Sequence, residues 1–76
     1  MTPYEHALSI IDCIPDRLEA ELQARAVEAD AEFLGVPARE HAEHVIAWVE
    51  TACLEDDEPE ELLRLREGAA LVLVGD

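Results

Sequence analysis

The sequence predicts an all-α fold, a small bundle of three to four helices. Helix-capping signals occur at Thr2, Asp16 and Asp57, and apolar residues recur at helical spacing between residues 16 and 54. With 76 residues, the chain is expected to form one acidic helical domain over residues 1–76. A domain of this size buries only about 60% of the surface that its unfolded chain exposes. We therefore expect a thin core, to which a partner or a second copy would add stability.

The first helix is predicted over about residues 3–13. Residues 2–5, Thr-Pro-Tyr-Glu, have the form of a capping box with proline at the first helical position. Pro15 disfavours helical geometry at the residue before it, which ends the helix. The apolar stripe of this helix consists of Ala7, Ile10, Ile11 and Ile14.

The second helix is predicted over about residues 16–34. Asp16, followed three positions later by Glu19, repeats the capping pattern, and Gly35 supplies a left-handed stop. The inner face of this helix is expected to carry Leu18, Leu22, Ala26, Ala29 and Phe33. Its outer face is expected to carry Glu21, Glu28 and Glu32, with Arg25 among them.

The third helix is predicted over about residues 37–54. Its inward stripe is expected to consist of Ala38, Ala42, Val45, Ile46, Val49, Ala52 and Cys53. Trp48 lies at the border of that stripe, where we expect it to anchor the core or an interface. The opposite side carries Glu40, Glu43 and Glu50.

Six carboxylates then occupy residues 55–61, interrupted only by Pro59. Acidic residues near a helix N-terminus are favoured by the helix dipole, so residues 57–60 can cap a fourth helix with Pro59 in its first turn. Glu55 and Asp56 end the third helix, where the dipole opposes them. Capping thus accounts for two or three of the six carboxylates, and the others need a different reason.

An apolar pattern runs from Leu62 through Gly68 into residues 69–74. Either the helix continues to Val74, at a cost of about 1 kcal/mol for its internal glycine, or Gly68 ends it and a short extended C-terminal segment follows. An extended segment would need a partner edge and would imply a homodimer. We favour a helix at least to Glu67, with residues 69–74 buried against the body or a second copy.

The formal net charge is -14, with five arginines and no lysine. This charge disfavours direct binding to nucleic acid and to anionic membranes. No run of 18 apolar residues occurs, so we expect a soluble, cytoplasmic protein. The lack of Lys and Asn beside abundant Ala, Arg and Glu indicates GC-rich coding DNA, and hence a bacterial or phage source. Cys13 and Cys53 lie among apolar residues and are expected to be reduced core thiols.

Catalysis is not expected, and neither is a cofactor. His41 and His44 stand three residues apart beside Glu40 and Glu43, but the HExxH pattern of zinc enzymes is absent. A solvated helix surface is the simpler interpretation of these residues, so no metal site is predicted. No glycine-rich phosphate loop occurs either.

The remaining signal is the acidic surface. Carboxylates three or four residues apart on a helix are separated by about 4.5–6 Å, which is similar to phosphate spacings along DNA. The residues predicted to bind a partner are Glu55, Asp56, Asp57, Glu58, Glu60, Glu61, Glu21, Glu28, Glu32, Glu40, Glu43 and Glu50. The competing interpretation is an acidic surface that serves solubility alone.

In size and charge, the chain resembles the small acidic DNA mimics with which phages inhibit host nucleases, including anti-restriction and anti-CRISPR proteins. The resemblance involves no shared motif and carries over no residues. It implies a non-catalytic protein that binds a basic, nucleic-acid-binding protein surface, such as that of a nuclease or defence complex, and inhibits it by occupancy. The alternative is a small helical adaptor or antitoxin-like subunit that dimerises through its apolar C-terminal segment.

Overall fold

The computed structural model describes residues 2–52 and 60–75. These residues form four helices and no strand: α1 (Pro3–Asp12), α2 (Arg17–Leu34), α3 (Ala38–Ala52) and α4 (Glu60–Val74). The predicted all-α bundle is therefore confirmed. The helical alternative for the C-terminal segment is correct, because α4 continues through Gly68 to Val74.

Local hydrogen bonds fix the starts of α1 and α2 where the sequence predicts them. The Thr2 side chain accepts a hydrogen bond from the Glu5 backbone N–H at 3.2 Å, and Asp16 accepts one from Glu19 N–H at 3.3 Å. Gly35 ends α2 in the left-handed conformation, with φ of 74°. The predicted cap at Asp57 and the end of the third helix at residues 53–54 lie outside the described residues.

The fourth helix lies at the centre of the bundle. It packs against each of the other three helices, α1, α2 and α3. In addition, α2 packs against α3. The buried residues 69, 70, 72 and 73 of α4 face these helices, and Leu71 and Val74 pack partly buried against the same core. The prediction that residues 69–74 are buried is confirmed, and the chain's own helices cover them.

The core of the bundle is built mainly from small side chains. Its buried members are Ala7, Ile10, Ala20, Ala24, Val27, Ala31, Ala42, Val45, Ile46, Val49, Ala69, Ala70, Val72 and Leu73. Val27 and Val49 are the largest side chains that are fully buried. Helices whose facing side chains are this small can approach each other closely.

The closest approach joins α2 and α4 at Gly68. A Cβ atom on Gly68 would lie 2.6 Å from the backbone nitrogen of Ala24 and 2.5 Å from the Cβ atom of Gln23. Carbon atoms do not pack at such distances. Gly68 is therefore required by the packing of the two helix backbones, and its cost in helix propensity is offset by the contact that it allows.

The predicted inner face of α2 is wrong, and the close approach explains why. Leu18, Leu22 and Phe33 are 75%, 59% and 91% exposed, and Ala26 and Ala29 are exposed as well. The face that packs on the core carries Ala20, Ala24, Val27 and Ala31 instead. Only short side chains fit where the α2 backbone contacts Gly68, so size and not hydrophobicity decides which face points inward.

The third helix agrees better with its predicted pattern. Ala42, Val45, Ile46 and Val49 are buried, and Ala38 is half-buried. Ala52 is exposed, against prediction, and Trp48 is 57% exposed at the border of the stripe. Cys53, predicted to close this stripe, lies outside the described residues.

The prediction that Cys13 is a core thiol is wrong. Cys13 caps the C-terminus of α1, where its backbone N–H donates to the carbonyl oxygen of Ile10, and its side chain is exposed. Ile10 takes the inward position at this end of the helix, so the cysteine falls outside the stripe that contacts α4.

Candidate partner-binding surface

The predicted partner-binding carboxylates that the structure describes nearly all face solvent. Glu55, Asp56, Asp57 and Glu58 lie outside the described residues. The exposed members of the set are Glu21, Glu28, Glu32, Glu40, Glu43, Glu60 and Glu61. Glu50 differs, because it is half-buried between helices.

The N-termini of α2 and α4 meet at one end of the bundle. Asp16 and Glu19 line the same depression as Glu60 and Glu61, and further along both helices Gly68 lies against Gln23 and Ala24. The two helices therefore run in the same direction. Their positive dipole ends lie side by side and favour carboxylates at this place.

This N-terminal depression holds four carboxylates and one cation. Arg64 donates a hydrogen bond to Glu60 at 2.9 Å, and this bond raises the pKa of Arg64. The complete lining consists of Asp16, Glu19, Gln23, Glu60, Glu61, Leu62, Arg64 and Leu65. The sequence prediction missed Asp16 and Glu19 as part of the surface. The sequence shows the capping pattern of these two residues, but it does not show the parallel packing of α2 and α4 that brings them close to Glu60.

A second group of charges lies along one side of α2. Glu21 and Glu28 line a shallow depression with Arg17, Arg25, Ala24, Leu71 and Gly75. The Nε atom of Arg17 lies 3.9 Å from Glu21, one helical turn away, and both side chains are more than half exposed. An exposed pair of this kind contributes about 0.2–1 kcal/mol at most. The carboxylate of Glu21 thus stays available to another cation.

Glu50 connects three helices. Its Oε2 atom lies 2.6 Å from Nε2 of His6 in α1 and 3.8 Å from Nη1 of Arg66 in α4. Glu43, also on α3, lines the adjacent depression with Thr2, Pro3, His6 and Leu73. Glu50, predicted on the outer face, is only partly exposed (37%), and its carboxylate already contacts side chains of α1 and α4.

The side chain of Glu67, the residue that follows Arg66 in α4, is partly buried. Its Oε1 atom is buried without a hydrogen-bond partner among the described residues, as is Nε of Arg66. Burial raises the pKa of Glu67, and the charge of Asp16 acts in the same direction, while Arg64 and Arg66 partly oppose the rise. This residue is a structural feature of the α2–α4 contact that the sequence pattern did not indicate.

His41 and His44 line a depression between α2 and α3 together with Asp30, Val45, Trp48 and Leu65. His41 is half-buried and His44 is exposed. Within residues 2–52 and 60–75, no group of three or more His, Cys, Asp or Glu side chains is arranged to hold a metal ion.

None of the described helices is both long enough and apolar enough to cross a bilayer. Comparisons with protein-family models, curated proteins and solved structures find no match to this chain.

Proposed function

We propose that this chain is a non-catalytic acidic protein that binds a basic protein surface, of the kind that binds nucleic acid, and inhibits it by occupying it. In this proposal it acts in the cytoplasm on a nuclease or defence complex, in the manner of a DNA mimic. The side chains that contact the target are the exposed carboxylates of α2, α3 and the start of α4, together with those of residues 55–58.

The proposal is supported above all by unbalanced charge on the helix surfaces. Three of the five arginines are already close to a carboxylate: Arg17 to Glu21, Arg64 to Glu60 and Arg66 to Glu50. Among the described residues, no ion pair engages Glu28, Glu32, Glu40, Glu43 or Glu61. These carboxylates repel one another, and a cationic partner that covers them would relieve that repulsion.

The location of these carboxylates favours recognition of an extended basic surface over a single cation. They lie on α2, on α3 and at the paired N-termini of α2 and α4, so they face more than one direction. A nucleic-acid channel lined by Lys and Arg presents cations over a comparable extent, because it must contact successive phosphates. Occupation of such a channel would exclude the nucleic acid.

The alternative hypothesis, an adaptor that dimerises through its C-terminal segment, has less support in the packing. Ala69, Ala70, Val72 and Leu73 are between 0% and 5% exposed, because α1, α2 and α3 cover α4. Little apolar surface remains there for a second copy, so a dimer would have to use a different face.

The proposed function can be tested by capture of proteins from the source cell on the immobilised chain, followed by their identification. We expect basic nucleic-acid-binding proteins that are released by salt, since exposed charge pairs are screened over about 8 Å at physiological ionic strength. Excess nucleic acid should release the same proteins. A matched bait with Glu28, Glu32, Glu40 and Glu43 replaced by Gln should capture less of them. Partners that resist both salt and nucleic acid would contradict the proposal.

A further inference from the structure

The second helix is apolar on two opposite sides. With about 100° between successive residues, the buried positions 20, 24, 27 and 31 centre half a turn away from an outer set. We define this outer set, the outer apolar face of α2, as Leu18, Leu22, Ala26, Ala29 and Phe33. A surface helix normally carries one apolar stripe and a polar opposite side. The outer apolar face therefore has no explanation in the packing of the bundle.

The sizes of the side chains strengthen this point. The buried face of α2 uses Ala and Val, whereas the outer apolar face holds two leucines and a phenylalanine that are 59–91% exposed. Single exposed apolar residues are ordinary, but a contiguous row is typical of an interaction site. The row spans 16 residues, and its ends are about 22 Å apart along the helix. This length corresponds to four helical turns, the size of contact that another helix makes.

The shape of the row also suits a helix. Ala26 and Ala29 form a low centre between the leucines at one end and Phe33 at the other. Leu18 and Leu22 border a shallow depression with Glu21 and Arg25. Small residues at the centre of a contact let two helix axes approach to about 8–10 Å, with larger side chains interlocking at either end.

The flanks of the row carry mostly acid. On one side lie Glu21, Glu28 and Glu32, all exposed, together with Arg17 and Arg25. On the other side lie Glu19 and Asp30. A partner whose own apolar stripe is bordered by Lys or Arg would meet carboxylates on both sides.

A second copy of this chain does not fit that pattern. If two α2 helices paired in opposite directions, the flank with Glu21, Glu28 and Glu32 would face itself. If they paired in the same direction, it would face the flank with Glu19 and Asp30. Either arrangement brings together flanks with more acidic than basic residues, on chains that each carry a net charge of -14.

We propose that the outer apolar face of α2 docks a cationic amphipathic helix of another protein, with leucine-like side chains on its seam and Lys or Arg on both flanks. This inference rests on the proposed function and specifies its partner: recognition combines an apolar centre with acidic borders. The exposed Leu22 and Phe33 supply affinity that persists in salt, and the flanking carboxylates select a basic helix over an acidic one.

The test uses the full chain and three labelled synthetic helical peptides. The first has a leucine seam flanked by Lys, the second has the same composition in scrambled order, and the third has Glu in place of Lys. Binding is measured by fluorescence anisotropy at low and high salt. We expect the first peptide to bind at least tenfold more tightly than either of the others. In NMR spectra of the full chain, the backbone amide shifts that this peptide causes should map to α2.

Two leucines on the same helix provide a matched pair of variants. Leu22 and Leu34 are both 59% exposed, but only Leu22 belongs to the outer apolar face. Leu22→Ser should weaken binding of the first peptide about tenfold, which equals about 1.4 kcal/mol, whereas Leu34→Ser should change it less than twofold. Circular dichroism of both variants checks that the helices persist.

The outcomes separate this inference from the proposed function. Equal, salt-sensitive binding of the first two peptides, unaffected by Leu22→Ser, would overturn the docking face and leave the charge-based function standing. Equal binding of the Lys and Glu amphipathic peptides would overturn the inference that the partner helix is cationic. If no basic peptide binds, the docking face is overturned, and the proposed function is decided by the capture experiment.

Discussion

Gly68 of α4 lies so close to Ala24 of α2 that a Cβ atom on the glycine would come within 2.6 Å of the Ala24 backbone nitrogen. Two of the three nearest atoms belong to the α2 backbone, so movement of a side chain cannot make room. The two helices must separate if any side chain is added at this position.

Gly68→Ala should therefore destabilise the protein by about 1–3 kcal/mol, although alanine is favoured over glycine in an isolated helix by about 1 kcal/mol. Thermal unfolding followed by circular dichroism measures the change. Gly35→Ala is the comparison. Gly35 has φ of 74° and no neighbour within 4 Å of its Cβ position, so the loss of stability in this variant reflects backbone strain alone. A higher Tm for Gly68→Ala would contradict the close approach.

Removal of the end of α4 should unfold the chain. Truncation after Glu67 deletes Ala69, Ala70, Val72 and Leu73, which together form part of the core under all three other helices. We expect loss of the cooperative thermal transition and of most helical ellipticity. A truncated chain that keeps its helix content but changes from dimer to monomer in analytical ultracentrifugation would instead support the adaptor hypothesis.

Glu67→Gln should raise stability near neutral pH. Burial raises the pKa of Glu67 above its ordinary value of 4.5, so the native state holds the proton more tightly than the unfolded chain does. As pH rises through the unfolded pKa towards the folded one, the native state loses stability, and the loss is complete above the folded pKa.

The variant lacks this titration, so its advantage in Tm should be present at pH 7 and should disappear in acid, below about pH 4. Glu28→Gln is the control, since it removes the same charge from an exposed position with no ion pair among the described residues. Equal gains for both variants at pH 7 would assign the effect to net charge and not to the burial of Glu67.

His6 and Glu50 should be coupled in a double-mutant cycle. Their side chains lie 2.6 Å apart and are each 37% exposed, so we expect a coupling free energy of about 0.2–1 kcal/mol in unfolding. The cycle uses His6→Ala, Glu50→Gln and the double variant in urea denaturation. A coupling free energy of zero would show that His6 does not engage Glu50, and Glu50 would then count among the carboxylates that are free to bind a partner.

The carboxylates of residues 55–61 should matter for binding and not for folding. Replacement of Glu55, Asp56, Glu58 and Glu61 by Gln or Asn should leave the circular dichroism spectrum unchanged, or raise Tm slightly by relieving repulsion. The same variant should bind its isolated partner more weakly and with a smaller dependence on salt. Unchanged affinity and salt dependence would restrict recognition to the surfaces of α2, α3 and the first turn of α4.

Local interactions made the helix ends predictable. The hydrogen bonds at Thr2 and Asp16 involve residues three positions apart, and the left-handed turn at Gly35 depends on one residue, so each is visible in a short stretch of sequence. The rotation of α2 was not predictable in this way. Leu18 and Phe33 are more hydrophobic than Ala20 and Ala31, but the inward face of α2 is the one that carries Ala24, against which Gly68 of α4, distant in sequence, lies.

The same distinction applies to the candidate surface. The outward direction of Glu21, Glu28 and Glu40 follows from helical period and was predicted correctly. The engagement of Glu50 by His6 depends on how α1 and α3 both pack against α4, which no local pattern encodes. The meeting of Asp16 with Glu60 likewise depends on the parallel direction of α2 and α4.

The two apolar sides of α2 imply an unusual pattern of evolutionary constraint. Substitution at Ala20, Ala24, Val27 and Ala31 is limited by volume, because a larger side chain would push α4 away. Substitution at Leu18, Leu22 and Phe33 would be limited by hydrophobicity, and only as long as the partner exists. A lineage that lost its partner should therefore drift to polar residues on one side of α2 while the other side stays small and unchanged.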